Sequence, residues 1–260
     1  MTPAQCLGSD EDLAKVTLET LKHAHELIVR TEGAVFVSVG SHDVEMVKQF
    51  LSTLKKTEAL QFTPHIEEAF WVKPEFHVTH FENISEPSVE LNWLRSVEIK
   101  AEEWIAICFI LRLMVNTVHG VMYKELRHVK GWAYNMDWNA SSYPTQYRYG
   151  FFFPLNNLEE INYTRSVIFE RIEQALQNQE LIELEVERRI ATKAHGYQTS
   201  PAISDSAIDD LRTYGKVHSE TEWEEFINKM LDPEYREKIR QAFFTRDGYG
   251  ETAFFPEDQN

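Results

Sequence analysis

The alternation of hydrophobic and polar positions changes period several times along the chain. Residues 9–30, "SDEDLAKVTLETLKHAHELIVR", open on Ser9 and acids, carry apolar residues at helical spacing and stop before Gly33, which predicts a helix. Residues 34–40, "AVFVSVG", are β-branched and aromatic, end in glycine and predict a buried strand. In 41–56, Val44, Val47, Phe50, Leu51 and Leu54 share one helical face behind a cap from Ser41 or Asp43. The stretch 57–75 holds prolines and no clear period, so a connection is expected there. Strands follow at 76–83 and 89–97, then an apolar helix over about 100–118. "HGVMYKELRHVKG" predicts a short helix between two turns. Residues 132–141 and 146–155 predict an antiparallel strand pair joined around Pro144. Helices are expected at 157–177, 179–196, 204–215 and 219–231, with a last one opened by Pro233. The end of the chain, "DGYGETAFFPEDQN", predicts no regular element.

Strands grouped first and helices grouped after them predict an α+β fold, a two-layer mixed or antiparallel sheet with helices packed on one face. The expected organisation is a helix-strand-helix portion at 1–57, a connection at 58–75, a main domain at 76–250 and a tail at 251–260.

Composition narrows the role without assigning it. Asp and Glu number 42 against 26 Lys and Arg, a formal net charge of -16. A duplex-binding protein needs a basic face to neutralise phosphates, so nucleic acid is not the expected partner. The most apolar run, "WIAICFILRLMVNTV", is interrupted by Arg112 and is shorter than a membrane span of about 20 residues; it reads as a helix buried in protein. The two cysteines, Cys6 and Cys108, form no C-x-x-C pair, and the first residues follow no signal-peptide plan. A soluble protein of the cytoplasm or an organelle matrix is expected rather than a secreted one.

Ten histidines invite a search for a metal site. Neither H-E-x-x-H nor H-x-x-E-H occurs. "HIEEAF" comes nearest, with His65 and Glu68, but Ala69 stands where a histidine is needed. No metal ligand is therefore expected in this chain. There is no G-x-S-x-G elbow and no glycine-rich phosphate loop, and Cys108 sits mid-helix among apolar residues, where a thiol is inert. The acid pairs Glu102–Glu103, Glu159–Glu160 and Asp209–Asp210 read as solvated helix starts. Arg165, Glu185, Glu187, Arg188 and Arg189 read as helix-surface charges. Tyr147, Tyr149, Phe151 and Phe153 form one aromatic strand face, with core packing the default and a peptide-groove wall the sharper alternative. That leaves "YKELRHVKGWAY", residues 123–134. Taken alone, Arg127 reads as a cation facing the carbonyls of its own helix end, and Tyr134 as a half-buried strand aromatic.

The order of the elements around that stretch resembles the insulinase/pitrilysin family of zinc metallopeptidases. The resemblance runs over roughly residues 8–216 and includes the apolar segment ending "VFVSVG", the strands of "FHVTHFENISEPSVELNW" and the helix of "NLEEINYTRSVIFERIEQAL". Its most specific part matches the family block L-x-x-E-L-R-x-x-x-G-x-A-Y through Glu125, Leu126, Arg127, Gly131, Ala133 and Tyr134. The resemblance implies a non-zinc, C-terminal-type domain that closes a chamber over a peptide. Arg127 and Tyr134 match the family's Arg/Tyr pair, which holds substrate near the scissile bond and helps stabilise the developing oxyanion, and Tyr123 is implied as a further substrate contact. Zinc would be held by a partner domain or subunit carrying H-x-x-E-H, so this chain alone is not expected to be active. Residues 1–57 are implied to be the closing part of a preceding domain. The alternative within the family is a catalytically silent structural or assembly subunit, and outside it an acidic interaction module.

Overall fold

The computed structural model describes residues 10–28, 34–54, 76–81, 84–115, 119–143, 146–196 and 199–257. The chain divides into two compact units, Met1–Glu67 and Glu68–Asn260.

In the first unit the single helix expected over 9–30 is two helices, α1 (Asp10–Ala14) and α2 (Leu18–Ile28). The break falls at Thr17, whose hydroxyl accepts from the Thr20 N–H at 3.1 Å while the Thr17 N–H donates to the Thr20 hydroxyl at 3.3 Å. This is a helix cap placed where one continuous helix was expected. Helix α3 (Val44–Thr53) begins at Asp43, whose carboxylate accepts from the Glu45 N–H at 2.8 Å, so the cap is Asp43 and not Ser41. The strand expected over 34–40 does not form: residues 34–39 carry neither helix nor strand. Strand pairing needs a neighbour to take the backbone hydrogen bonds, and among the described residues of this unit none runs beside it. Val35 and Phe36 are exposed, as are Val44, Met46 and Phe50 of α3.

The second unit is the expected α+β fold. Strands β1 (Phe76–Phe81), β2 (Ser88–Arg95), β3 (Asp137–Tyr143), β4 (Gln146–Pro154) and β5 (Tyr249–Pro256) form one mixed sheet in the order β1-β5-β2-β4-β3. β5 is parallel to β1, and the remaining pairs are antiparallel. The tail expected to be irregular is thus a strand in the middle of the order, and the boundary drawn at residue 250 falls inside it. Gly248, Gly250 and Pro256 gave the segment the look of a loop. Gly248 makes a turn with φ +66°, and its carbonyl accepts from the Leu94 N–H at 2.8 Å. β3 begins at Asp137, later than the expected 132, because Trp132 and Ala133 are used in a turn described below.

Alternation sends Val89, Leu91 and Trp93 of β2 and Tyr149, Phe151 and Phe153 of β4 into the core, all fully buried. The aromatic face of β4 is therefore core. Gly150 lies between two of these aromatics, where a Cβ would stand 2.2 Å from the Leu91 carbonyl oxygen, so only glycine lets β2 and β4 close. Helix α4 (Ala101–Val115) is buried along most of its length and packs on β3, β4 and α6 (Leu158–Gln177), and α6 reaches β2. Helix α7 (Gln179–Gly196) packs on α4 and α6, and α9 (Glu220–Asn228) and α10 (Pro233–Phe243) also pack on α4. The short α5 (Val121–Tyr123) precedes the candidate site, and α8 (Ser200–Tyr214) precedes α9. No helix among the described residues is long and apolar enough to cross a membrane.

Candidate functional site

Helix α5 runs straight into a single π-helical turn, Lys124–Val129. Its wider turn is closed by the Lys130 N–H, which donates to the Glu125 carbonyl, five residues back, at 3.0 Å. Met122 and Leu126, one turn apart and fully buried, anchor the inner side. Gly131 then reverses the chain with φ +69°. Nothing lies within 4 Å of where its Cβ would be, so the backbone conformation requires the glycine, not lack of space. The reversal brings the Trp132 and Ala133 N–H groups to the Leu126 carbonyl, at 2.8 and 3.4 Å. Ala133 is buried, and Tyr134 emerges 72% exposed.

These turns place Arg127 between two tyrosines. Its guanidinium carbon lies 4.2 Å from the ring centre of Tyr134 and 5.0 Å from that of Tyr123. It donates a short hydrogen bond to the Tyr123 hydroxyl and another to the Tyr134 carbonyl at 3.3 Å. The three residues singled out in the sequence thus lie together. Arg127 is not the cation facing its own helix carbonyls, and Tyr134 is not a strand residue. Among the described residues no carboxylate pairs with Arg127, and the Tyr134 hydroxyl makes no hydrogen bond. A guanidinium held between aromatic faces keeps its full charge and is positioned without being neutralised.

The inner side holds partners that sequence reasoning missed. Glu125 accepts short hydrogen bonds from Arg171 Nε and the Tyr163 hydroxyl, and a third from Arg171 Nη2 at 3.1 Å. The Arg171 hydrogen bond, helped by Tyr163, holds the Glu125 carboxyl below the usual carboxylate range. The same carboxylate pushes the Tyr163 phenol above its ordinary value. Lys130 Nζ lies 4.1 Å from the centre of the Tyr163 ring and 4.6 Å from that of Trp132. The Trp132 carbonyl accepts from Asn156 Nδ2 at 3.2 Å, and Asn156 is tied to Glu160 at the start of α6. The corner is thereby pinned to α6 through Tyr163, Arg171 and Asn156. Tyr163 and Arg171 stood in the quoted segment "NYTRSVIFERIEQAL", but no spacing in it signals a meeting with Glu125.

Other charge readings need correction. Glu160 is buried and accepts from the Asn156 N–H at 2.9 Å; it is not a solvated helix start. Asp210 is buried, accepting from the His218 N–H at 2.8 Å. Arg165 binds Glu251 of β5 through Nε at 2.6 Å, Glu185 is buried, and Arg189 is partly buried. Arg165 meets β5 far away in sequence, while Glu160 and Asp210 are held by the nearby Asn156 and His218, at the turns that flank their helices. Cys108 is a buried-helix thiol as expected, pushed up to about 11 by burial.

Among the described residues no group of three or more His, Cys, Asp or Glu could hold a metal ion. The near-motif at His65 lies outside the described residues. The described side chains do not fit a zinc ion.

The fold is shared with solved peptidase structures. A protease from Helicobacter pylori superimposes with a TM-score of 0.79 at 16% identity, over 96% of this chain and 61% of that one. The peptidase M16 inactive domain from Pseudomonas fluorescens gives 0.69 at 16% identity, over 96% and 60%. The ferredoxin protease FusC, solved in complex with Arabidopsis ferredoxin, gives 0.61 at 11% identity, over 95% and 28%. At these identities the likeness is one of fold, and the chain spans about three fifths of the length of the first two proteins. No curated protein matches it. The family model described as "Peptidase M16 inactive domain" matches residues 15–192, most of the chain. The chain belongs to that family.

Proposed function

We propose that this chain is the non-zinc part of a two-part peptidase, closing over a peptide and offering it Arg127 and Tyr134. The observation that carries the reading is the un-neutralised guanidinium of Arg127 beside an exposed phenol with a free donor, Tyr134. Charged and phenolic donors aimed at a carbonyl oxygen stabilise the negative charge that develops there. Tyr123 orients the guanidinium through its hydroxyl. The Glu125–Arg171–Tyr163 cluster keeps the turn rigid, so the donors need little reorganisation when substrate arrives. The metal belongs, in this reading, to a partner domain or subunit carrying H-x-x-E-H. Residues 1–57 are read as the closing part of a preceding domain; the exposed Val35, Phe36 and Phe50 support this, since such side chains are normally covered.

The test is reconstitution. Peptide cleavage is expected only when the chain is mixed with an H-x-x-E-H partner, and chelation should abolish it. Cleavage by the partner alone at the same rate would overturn the proposal. One observation favours a second reading, a silent structural subunit: Arg127 already donates to Tyr123 and to the Tyr134 carbonyl within its own chain. In that case a stable complex forms and no cleavage accompanies it.

A further inference from the structure

A buried histidine outside the corner is left half-paired on the wall of a cavity. The cavity, of about 700 Å³, lies where the loop into α4 meets β4 and the end of α8, and no residue of the corner lines it. His218, just after α8, and Asp210, within α8, are both almost fully buried. One Asp210 carboxylate oxygen accepts from the His218 backbone N–H at 2.8 Å and stands 3.2 Å from Nδ1. An ionised carboxylate only accepts, so Nδ1 carries the proton and Nε2 of the neutral ring presents its lone pair. The rings of Tyr214, Trp223 and Phe226 surround the imidazole, with centres 5.3, 6.0 and 5.6 Å away. Among the described residues Nε2 has no hydrogen-bond partner, and the hydroxyl of Tyr214, on the same wall, has none either. Burial pushes that phenol well above its ordinary value, so it stays a neutral donor.

Charges of both signs share this wall. Glu98 and Lys100, in the loop before α4, are exposed, and neither side chain has a partner among the described residues. Lys216 also lines the cavity but is paired with Glu222 at 3.0 Å. Native proteins rarely leave buried polar groups unsatisfied except by water or a ligand, and small-molecule sites have cavities of about 300–1,000 Å³. An ammonium group would satisfy Nε2, the Asp210 carboxylate behind the ring makes that nitrogen a better acceptor, and Glu98 adds charge of the right sign. A carboxylate would take Lys100 and the Tyr214 hydroxyl. The rings of Tyr147 and Tyr214 give the cavity flat apolar surface. We propose that this cavity binds a free α-amino acid with an aromatic side chain, its ammonium at His218 and its carboxylate at Lys100. The proposal does not depend on the peptidase reading.

The test is calorimetric titration of the whole chain with L-phenylalanine, with N-acetyl-L-phenylalanine, which lacks the ammonium, and with L-phenylalaninamide, which lacks the carboxylate. Saturable binding of the free amino acid is expected, weaker by about tenfold or more for each blocked form, because each loses a hydrogen bond to a charged group. The free amino acid should also move the His218 ring resonances in NMR spectra. Lys100→Ala and Tyr214→Phe remove no side-chain hydrogen bond or ion pair among the described residues, so both should fold, and each should weaken binding by about tenfold. No saturable heat, which would leave the cavity to water, would overturn the site. So would equal binding of the three ligands, unmoved His218 resonances, or undiminished binding in either variant.

Discussion

Arg95 and Arg127 belong to the same sheet-and-helix unit and are used in opposite ways. Arg95, in β2, donates to Asp247 at 2.6 Å, to the Phe243 carbonyl at 3.3 Å and to the Thr245 hydroxyl at 3.2 Å. Its neighbour Trp93 stacks on Tyr149 at 5.9 Å, packs on Phe244 at 5.1 Å and donates to the Thr245 carbonyl at 2.7 Å. The Tyr149 hydroxyl is likewise taken, by the Phe243 carbonyl at 2.7 Å, and burial pushes that phenol up to about 12. At the corner, Arg127 meets two tyrosine rings and, among the described residues, no carboxylate, and the exposed Tyr134 hydroxyl is left to solvent. The same residue types make architecture where their donors meet acceptors inside the chain. They make a candidate site where charge is held in place and left available.

The comparison can be broken first at the sheet. Trp93→Ala removes a fully buried indole, its ring contacts and its hydrogen bond, and should cost about 3–5 kcal/mol, read as a lower urea midpoint. A cost below about 1 kcal/mol would remove the hub from the account. Next comes the inner side of the corner. Glu125→Gln leaves Arg171 with only the exposed carboxylate of Glu170 and should cost about 2 kcal/mol near neutral pH. The sign of its pH dependence follows from the lowered folded-state value. Glu125 stabilises fully above its unfolded value of about 4.3, and that contribution fades as pH falls through the lower folded value. Glu125→Gln should therefore flatten the acid limb of the stability profile, and an unchanged limb would assign the acid sensitivity elsewhere. Gly131→Ala, with its φ of +69°, should cost about 1 kcal/mol in the same denaturation experiment. Tyr134→Phe should shift stability by less than about 0.5 kcal/mol, because its hydroxyl has no partner among the described residues.

The parts readable in the sequence were those whose signal is local. The apolar run with Glu102 and Glu103 at its start located α4, and the alternation around Pro144 located the β3–β4 pair. Taken alone, "YKELRHVKGWAY" predicted only a helix end and a turn, and it was the resemblance to the insulinase/pitrilysin block that grouped Tyr123, Arg127 and Tyr134. What escaped depended on distant partners. β5 is a strand through its pairing with β1 and β2, far away in sequence. Residues 34–40 have strand composition and lack such pairing among the described residues. Glu125 was placed by its motif, yet its role comes from Tyr163 and Arg171 on α6.

The central claim is that Arg127 acts on substrate and Arg95 does not. Its most direct test is kcat/KM for peptide cleavage by the chain reconstituted with an H-x-x-E-H partner, comparing Arg127→Ala with the parent at equal folded fraction. Loss of a charged donor to a developing oxyanion predicts a fall of about a hundredfold, carried mainly by kcat. An unchanged kcat/KM in a folded, partner-bound Arg127→Ala chain would contradict it and leave the corner as architecture.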